Sequence, residues 1–275
     1  MTGELEFTIL GCGSSAGVPR ADGTWGVCDP TNPRNRRSRC SLMVRRLNAV
    51  GPQTQTTLVV DASPEFRQQT AAAGARRLDA LLLTHDHADQ THGLDDIRIF
   101  AINQRQKIAC WMDDATGASM MRRFGYIFEG EGPYPAIAQI HRAPGFHQTW
   151  TIEGPSGPIP IETFDQDHGA IRSLGYRFGS VAYSSDVVAM PQASFDRLAG
   201  IDTWIVDSLR ELPHPTHAHL DLALEWIARL KPRQAILTNM HVDLDYGDLE
   251  RRLPKGVIPA FDGLRFRTSL PETKL

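Results

Sequence analysis

The sequence has 275 residues, of which 41% are hydrophobic and 22% are charged, and this composition is typical of a globular protein rather than a disordered chain or a coiled coil. Its net charge of −3 argues against binding to long nucleic acids, and no apolar run approaches the roughly 20 residues that cross a bilayer. Four cysteines without C-x-x-C spacing argue against a disulfide scaffold, and acidic residues near the N-terminus argue against a signal peptide. We therefore expect a cytoplasmic protein that does not contact a membrane.

The first part of the chain alternates strand-like runs with turns. The predicted strands lie at residues 7–10, 41–44, 57–61, 79–84 and 108–112. The first ends in a Gly/Ser-rich turn at 11–17, where another backbone or a ligand can approach closely. The fourth leads directly into His85-Asp86-His87-Ala88-Asp89 and then into a helix-like segment.

The second part of the chain continues this alternation. Residues 129–160 are rich in Gly and Pro, and we expect them to form an extended loop or a lid-like insertion. An amphipathic helix begins near Leu220. The predicted strands here are 161–164, 173–178, 181–184, 204–207 and 235–238. Because strands and helices alternate and no linker or repeat divides them, we predict one α/β domain over residues 1–275.

Side chains that could bind a metal follow four of the predicted strands. In chain order they are His85, His87 and Asp89, then His168, then Asp186, and finally His241. Ligands of α/β sheets gather beyond the carboxyl ends of the strands. Imidazoles and carboxylates suit zinc, manganese or iron. We therefore predict one or two divalent ions that activate water, with Asp186 as the natural bridging ligand if two ions bind.

The run His85-x-His87-x-Asp89 after an apolar strand resembles the metal motif of the metallo-β-lactamase fold superfamily. His168, Asp186 and a late histidine region continue that pattern in order, so the resemblance spans about residues 7–245. It implies a four-layer αββα sandwich with the metals at one edge. It also implies that Asp61, which ends an earlier strand, supports the site from behind the ligands.

Three further segments resemble the branch of phosphodiesterases that includes phosphoribosyl cyclic phosphodiesterase. They are the turn at 11–17 with Val18-Pro19, the run 35–39 and the run 93–96. The resemblance implies hydrolysis of a cyclic phosphate ester. It also implies that His217 faces the substrate phosphate and protonates the leaving oxygen.

Two positions depart from the superfamily pattern. Gln90 and Asn239 stand where the superfamily usually has histidine ligands of a second ion, and amide oxygens are weak ligands for zinc. His92 and His241 lie two residues beyond these positions and are candidates to compensate. Asp89, Asp186 and His241, with His92 as a further candidate, would then form the second site, and occupancy by one or two ions stays open.

A third departure concerns a structural zinc. The branch carries a cysteine cluster near residues 23–28, where only Cys28 remains in this chain. Val242 occupies the late position that would complete that site. We expect no structural zinc.

Six arginines lie within 13 residues that contain no acid, from Arg34 to Arg46. Guanidinium groups suit phosphate oxygens, so Arg36, Arg37 and Arg39 are candidates for phosphate contacts. Ser14 and Ser15 in the Gly/Ser-rich turn are further candidates. A solvated basic loop is an equally open interpretation of this run.

These features predict a metal-dependent phosphodiesterase in which a metal-bound hydroxide attacks a small phosphate ester, cyclic or nucleotide-like. Asp89 and His217 would be its catalytic residues, with His217 as the general acid. A thioesterase or lactonase on the same fold and a nucleotide-binding protein with an impaired second metal site are the alternatives. A homodimer is a further open expectation.

Overall fold

The computed structural model describes residues 3–48, 50–146 and 148–270. The strands within these ranges are β1 (Glu4–Gly11), β2 (Ser41–Arg46), β3 (Thr56–Val60), β4 (Ala80–Leu82), β5 (Ile108–Met112), β6 (Ala138–Arg142), β7 (Thr149–Ile152), β8 (Ile159–His168), β9 (Ile171–Phe178), β10 (Val181–Ser184), β11 (Thr203–Asp207), β12 (Gln234–Thr238), β13 (Val257–Pro259) and β14 (Arg265–Ser269). The α-helices are α1 (Phe66–Ala72), α2 (Ala88–Thr91), α3 (Arg98–Gln104), α4 (Asp114–Glu129), α5 (Gln192–Leu198), α6 (Leu220–Leu230) and α7 (Tyr246–Arg252). Short 3-10 helices cover Pro33–Asn35, Pro52–Thr54 and Leu94–Ile97.

The described strands form two mixed sheets of seven strands each. The first sheet has the order β14-β1-β2-β3-β4-β5-β6, and the second has the order β13-β12-β11-β10-β9-β8-β7. The run from β3 to β6 is parallel, and so is the run from β10 to β13. The remaining pairs in each sheet are antiparallel. Each sheet therefore has several neighbouring strands whose carboxyl ends meet at one edge.

Alternation along the strands separates the core into layers. Leu58 and Val60 of β3 pack between the two sheets, whereas Val59 faces the helices that cover the first sheet. Between the sheets, the ring of Phe7 lies 6.1 Å from that of Phe178. Helices α1, α3 and α4 cover the first sheet, and α5, α6 and α7 pack with the second. The result is a four-layer αββα sandwich, as the sequence predicts.

Residues 129–160 differ from the expected loop or lid. They contain β6 and β7, which extend the two sheets by pairing with β5 and β8. Both strands are only four or five residues long, and Pro144 and Gly145 lie between them, so their local pattern resembles a loop. Pairing along the sheet edge supplies the hydrogen bonds that make these residues strands. His147 lies outside the described residues.

The two sheets are joined by hydrogen bonds close to the edge where the parallel strands end. Tyr176 of β9 donates its hydroxyl to the carbonyl of Leu83 at 2.7 Å, and the N–H of Leu174 donates to the carbonyl of Thr84 at 2.8 Å. Among the described residues, no helix combines the length and the apolar character that crossing a membrane requires.

Candidate metal centre

The candidate site lies beyond the carboxyl ends of parallel strands from both sheets. In the first sheet, Asp61 follows β3 and His85 lies just beyond β4. In the second sheet, Asp186 follows β10, Asp207 ends β11 and Asn239 follows β12. Because parallel neighbours end at the same edge and the sheets pack face to face, these polar side chains converge there.

Three imidazoles form the centre of the site. Nδ1 of His87 lies 3.3 Å from Nε2 of His168, and the ring of His85 lies within 5.0 Å of both other rings. Two nitrogens that bind one tetrahedral ion at 2.0–2.1 Å are separated by about 3.3 Å. Nε2 of His85 is buried without a hydrogen-bond partner among the described residues. The three side chains therefore fit a divalent cation, which would satisfy this nitrogen.

Hydrogen bonds behind the imidazoles fix their orientation. The hydroxyl of Thr84 donates to Asp61 at 3.0 Å, so its oxygen is free to accept Nδ1–H of His85 at 2.9 Å. Nδ1 of His168 donates to the carbonyl of Thr216 at 2.7 Å. In both histidines the bond at Nδ1 leaves Nε2 as the ligand atom. Burial, together with the neighbouring imidazoles, holds the pKa of His85 well below its usual value, so this ligand is neutral.

Asp186 brings a buried carboxylate to the imidazoles. Its Oδ1 lies 4.0 Å from Nε2 of His168 and 3.9 Å from Nδ1 of His217. Asp186, Asp61 and Asn239 all adopt left-handed backbone conformations, with φ of 54°, 63° and 61°. Such conformations are uncommon for residues other than glycine and concentrate at functional sites. An uncommon backbone conformation at three strand ends thus positions the polar side chains of the site.

His217 lies beside the imidazole cluster and is held by Asp207. Its Nδ1 is 2.9 Å from Oδ2 of Asp207, and its ring centroid is 4.7 Å from that of His168. Burial disfavours the charged imidazolium, but the carboxylates of Asp207, Asp186 and Asp89 outweigh it and raise the pKa of His217 to about 9. The bond to Asp207 leaves Nε2 as the nitrogen that can exchange a proton with a substrate.

The side-chain amides of Gln90 and Asn239 contact the carboxylate of Asp186. Their amide nitrogens are 3.2 Å and 3.4 Å from its two oxygens. Asp89, in the short helix α2, accepts a hydrogen bond from the same Gln90 amide at 3.1 Å. The structure therefore brings together the predicted ligands His85, His87, His168 and Asp186, with Asp89 adjoining them.

His92 and His241, the two candidates to compensate for these amides, lie apart from the cluster. His92 is exposed, and its Nε2 is 3.2 Å from the guanidinium of Arg123. Nε2 of His241 contacts the guanidinium of Arg20, and its Nδ1 is 2.9 Å from Asp243. Neither histidine belongs to the groups of metal-binding residues that the described part of the chain forms.

The arginine-rich run lies beside a separate cavity. Arg36, Arg37 and Arg39 help to line a cavity of about 550 Å³, and none of the candidate metal ligands contributes to its lining. Arg39 forms an ion pair with Glu65 at 2.6 Å, and the guanidinium of Arg36 lies over the ring of Trp25. Of the two serines, Ser15 is exposed, and Ser14 is buried with its hydroxyl unpartnered among the described residues.

Arg37 is buried and crosslinks two loops. Its guanidinium donates to the carbonyls of His241 at 3.2 Å and Leu244 at 2.7 Å. Sγ of Cys28 contacts the carbonyls of Val242 and Leu244 in the same place. The guanidinium of Arg37 also contacts Sγ of Cys28 at 3.9 Å, so it connects the loop around Cys28 to the loop that follows β12. The side chain of Arg37 is buried away from solvent.

Sequence reasoning missed two residues at the site and a third that contacts a predicted ligand away from it. Thr84 orients His85, Asp207 holds His217, and Arg20 contacts His241. A signal for Asp207 was present, because it ends a strand-like run as the predicted ligands do. Thr84 and Arg20 carry no such signal, since their roles depend on side chains that fold against them.

The chain is similar to proteins of known family and structure. The family model described as "Beta-lactamase superfamily domain" matches residues 56–240. A solved structure described as a new diphosphatase from the PhnP family is 32% identical, with a TM-score of 0.85, and the match covers 98% of this chain and 99% of that one. Zinc-bound PqqB from Methylobacterium extorquens is 17% identical, with a TM-score of 0.68 over 95% of this chain and 99% of that one, and shares the fold.

Among curated proteins, the octanoyltransferase of Porphyromonas gingivalis is 28% identical over 94% of this chain. The match covers 51% of that protein, so this chain spans about half the length of that relative. The match to the superfamily model over most of the chain, together with the imidazole and carboxylate cluster at the sheet edge, shows that the chain belongs to the β-lactamase superfamily and has the metallo-β-lactamase fold of its hydrolases.

Proposed function

We propose that this protein is a metal-dependent phosphodiesterase that hydrolyses a small phosphate ester, cyclic or nucleotide-like. The observation that carries the proposal is the position of the His217–Asp207 pair beside the cluster of three imidazoles. A cation site next to a held imidazolium suits a reaction in which negative charge develops and a leaving oxygen takes up a proton. The likeness to the PhnP-family diphosphatase supports phosphorus as the reacting atom.

The residues that would hold the cation are His85, His87, His168 and Asp186. A divalent ion bound there supplies Lewis-acid chemistry, since it acidifies water and draws charge from a phosphoryl group. The chain itself contributes rigidity, because Thr84 and the carbonyl of Thr216 fix two of the imidazoles.

His217 supplies the proton that the leaving oxygen needs. Its Nδ1–H is held by Asp207, so Nε2–H is the proton that can be transferred. With its pKa raised to about 9, the imidazole of His217 is protonated at neutral pH and can act as the acid. The positive charge of a bound cation would lower that pKa. Such a general acid contributes typically about 10²–10⁴-fold to the rate.

Asp89 would take up the proton of the attacking water. Burial and the nearby charge of Asp186 raise the pKa of Asp89, which brings this carboxylate closer to the range of an effective general base. The Gln90 amide holds it in place from one side.

The experiment is a substrate panel run on metal-loaded protein. Bis-p-nitrophenyl phosphate, a cyclic phosphate ester and a dinucleoside diphosphate are compared with a lactone and an octanoyl thioester. We expect turnover of phosphate substrates that a chelator abolishes. Turnover confined to the lactone or thioester would overturn the proposal in favour of acyl chemistry, in line with the octanoyltransferase relative. Tight nucleotide binding without turnover under any metal would make the protein a binding module.

The variant His217→Ala tests the proposed acid. We expect kcat to fall about 10²–10⁴-fold on esters with poor leaving groups, and much less with p-nitrophenolate, which leaves without protonation. Metal content should stay unchanged. The matched control is His219→Ala, two residues along the same loop, which should retain wild-type turnover. Loss of metal in His217→Ala would make His217 a ligand instead.

A further inference from the structure

Each oxygen of the Asp186 carboxylate accepts a hydrogen bond from an amide N–H group. Nε2 of Gln90 donates to Oδ2 at 3.2 Å, and Nδ2 of Asn239 donates to Oδ1 at 3.4 Å. The side chains of Gln90 and Asn239 are buried, with at most 1% exposure. A carboxylate that bridges two cations commonly offers one oxygen to each. Here the side of Asp186 that faces Gln90 and Asn239 is already satisfied by neutral donors.

The Gln90 amide also spans two carboxylates. Its Nε2 donates to Oδ2 of Asp89 at 3.1 Å as well as to Asp186. If the Gln90 amide were reversed, its Oε1 would face both carboxylates and be repelled by their negative charge. The negative charge of Asp89 and Asp186 therefore favours the orientation in which the amide nitrogen faces them. A neutral side chain with two N–H donors thus lies between two acids, at the place where a second cation would be bound.

No further imidazole reaches this place among the described residues. His92 contacts Arg123, and His241 lies between Arg20 and Asp243. The groups that could hold an ion are His85 with His87 and His168, and His168 with Asp186 and His217. These two groups share His168, and Nδ1 of His217 is bonded to Asp207. The available ligands therefore form one centre.

We propose that this chain binds a single divalent cation through His85, His87, His168 and Asp186, and that the amides of Gln90 and Asn239 replace a second cation. The inference rests on the proposed function only for the presence of a cation at the first centre. It predicts that no cation binds the carboxylate of Asp89, which therefore stays able to accept a proton.

The test measures metal stoichiometry, independently of turnover. Apoprotein is loaded with Mn²⁺ or Zn²⁺, freed of excess ion, and analysed by elemental mass spectrometry, with isothermal titration as a second count. We expect one ion per chain, and the electron paramagnetic resonance spectrum of the Mn²⁺ form should be that of an isolated ion without exchange coupling.

The double variant Gln90→His/Asn239→His supplies two imidazoles at the amide positions. We expect it to bind two ions per chain and, with Mn²⁺, to show exchange coupling. The single variant Asn239→His provides the same readout if the double variant folds poorly. The matched control is His92→Gln/His241→Gln, which should keep the wild-type stoichiometry of one.

The outcomes separate the two proposals. Two ions in the wild type, or a fall in stoichiometry in His92→Gln/His241→Gln, would overturn the single-cation inference and leave the phosphodiesterase proposal standing. One ion with no turnover of any phosphate substrate would support the inference and contradict the phosphodiesterase. Wild-type protein that binds no ion would overturn both.

Discussion

Thr84 shows how a single hydroxyl can control a metal ligand. Its proton is given to Asp61 and its oxygen accepts Nδ1–H of His85, so Nε2 of His85 is directed at the centre. Residues behind metal ligands typically change affinity by about 10–100-fold when they are removed. We expect Thr84→Val, which keeps the shape and loses the hydroxyl, to weaken metal binding by that amount in competition with a chelator. Thr84→Ser keeps the hydroxyl and should bind as tightly as the wild type, and equal affinity in all three proteins would contradict this role.

Asp207 is the residue that determines when His217 is charged. The variant Asp207→Asn keeps an oxygen for the N–H of Val187, which also bonds to this carboxylate, and removes the negative charge. The pKa of His217 should then fall, so at a given alkaline pH a smaller fraction of His217 is protonated than in the wild type. The alkaline limb of the kcat profile should therefore move to lower pH, with poor leaving groups affected most. Asp202→Asn, in an exposed pair with Arg233, is the control, and an unmoved limb in Asp207→Asn would rule the pairing out.

At the scale of elements, the loops that follow the strands need their own connections. The loop around Cys28 and the loop after β12 are joined by the buried guanidinium of Arg37, which donates to carbonyls of the second loop. The second loop begins at Asn239, which contacts Asp186. A shift of this loop would therefore displace a residue of the candidate metal centre. The sequence predicted that Arg37 contacts a phosphate. In the structure its guanidinium instead bonds to carbonyls of the protein itself.

Removal of this crosslink has a measurable cost. Arg37→Met leaves the carbonyls of His241 and Leu244 without their donor, and hydrogen bonds to a charged group contribute about 1.5–3 kcal/mol each. We expect the free energy of unfolding to fall by about 3 kcal/mol in urea denaturation. Arg36→Met, one residue earlier and exposed, should change stability by less than about 1 kcal/mol. Equal effects of the two variants would show that burial of Arg37 does not stabilise the loops.

At the scale of the whole molecule, the site depends on how two sheets meet. The ligands come from the loop after β4 in one sheet, and from the end of β8 and the loop after β10 in the other. The hydroxyl of Tyr176 bonds to the carbonyl of Leu83, two residues before His85, and so connects the sheets at the edge that carries the ligands.

The variant Tyr176→Phe tests this connection between the sheets. It leaves a buried carbonyl without a partner, so we expect the free energy of unfolding to fall by about 1–2 kcal/mol. The dependence on urea should be unchanged, because the same surface is exposed on unfolding. Tyr134→Phe, at an exposed tyrosine, should alter stability by less than about 0.5 kcal/mol. A similar loss in both variants would contradict a specific role for the Tyr176 hydroxyl.

Much of the fold follows from the sequence alone. Apolar runs of strand length alternate with helices, and this local pattern determines an α/β architecture because it depends only on neighbouring residues. Ligand-type residues at strand ends, from His85 to Asp186, also identify an edge of the sheets as the site, since parallel strands present their carboxyl ends together. The superfamily match confirms the predicted fold.

Only the tertiary structure decided the remaining features. The strands β6 and β7 exist because neighbouring strands pair with them, and a local pattern broken by proline and glycine does not show this. The burial of Arg37 and the bond between Asp207 and His217 likewise depend on packing between distant parts of the chain or across a loop. The same holds for the amides on Asp186, since Gln90 and Asn239 are far apart in sequence and meet at one carboxylate only when the two sheets close on each other.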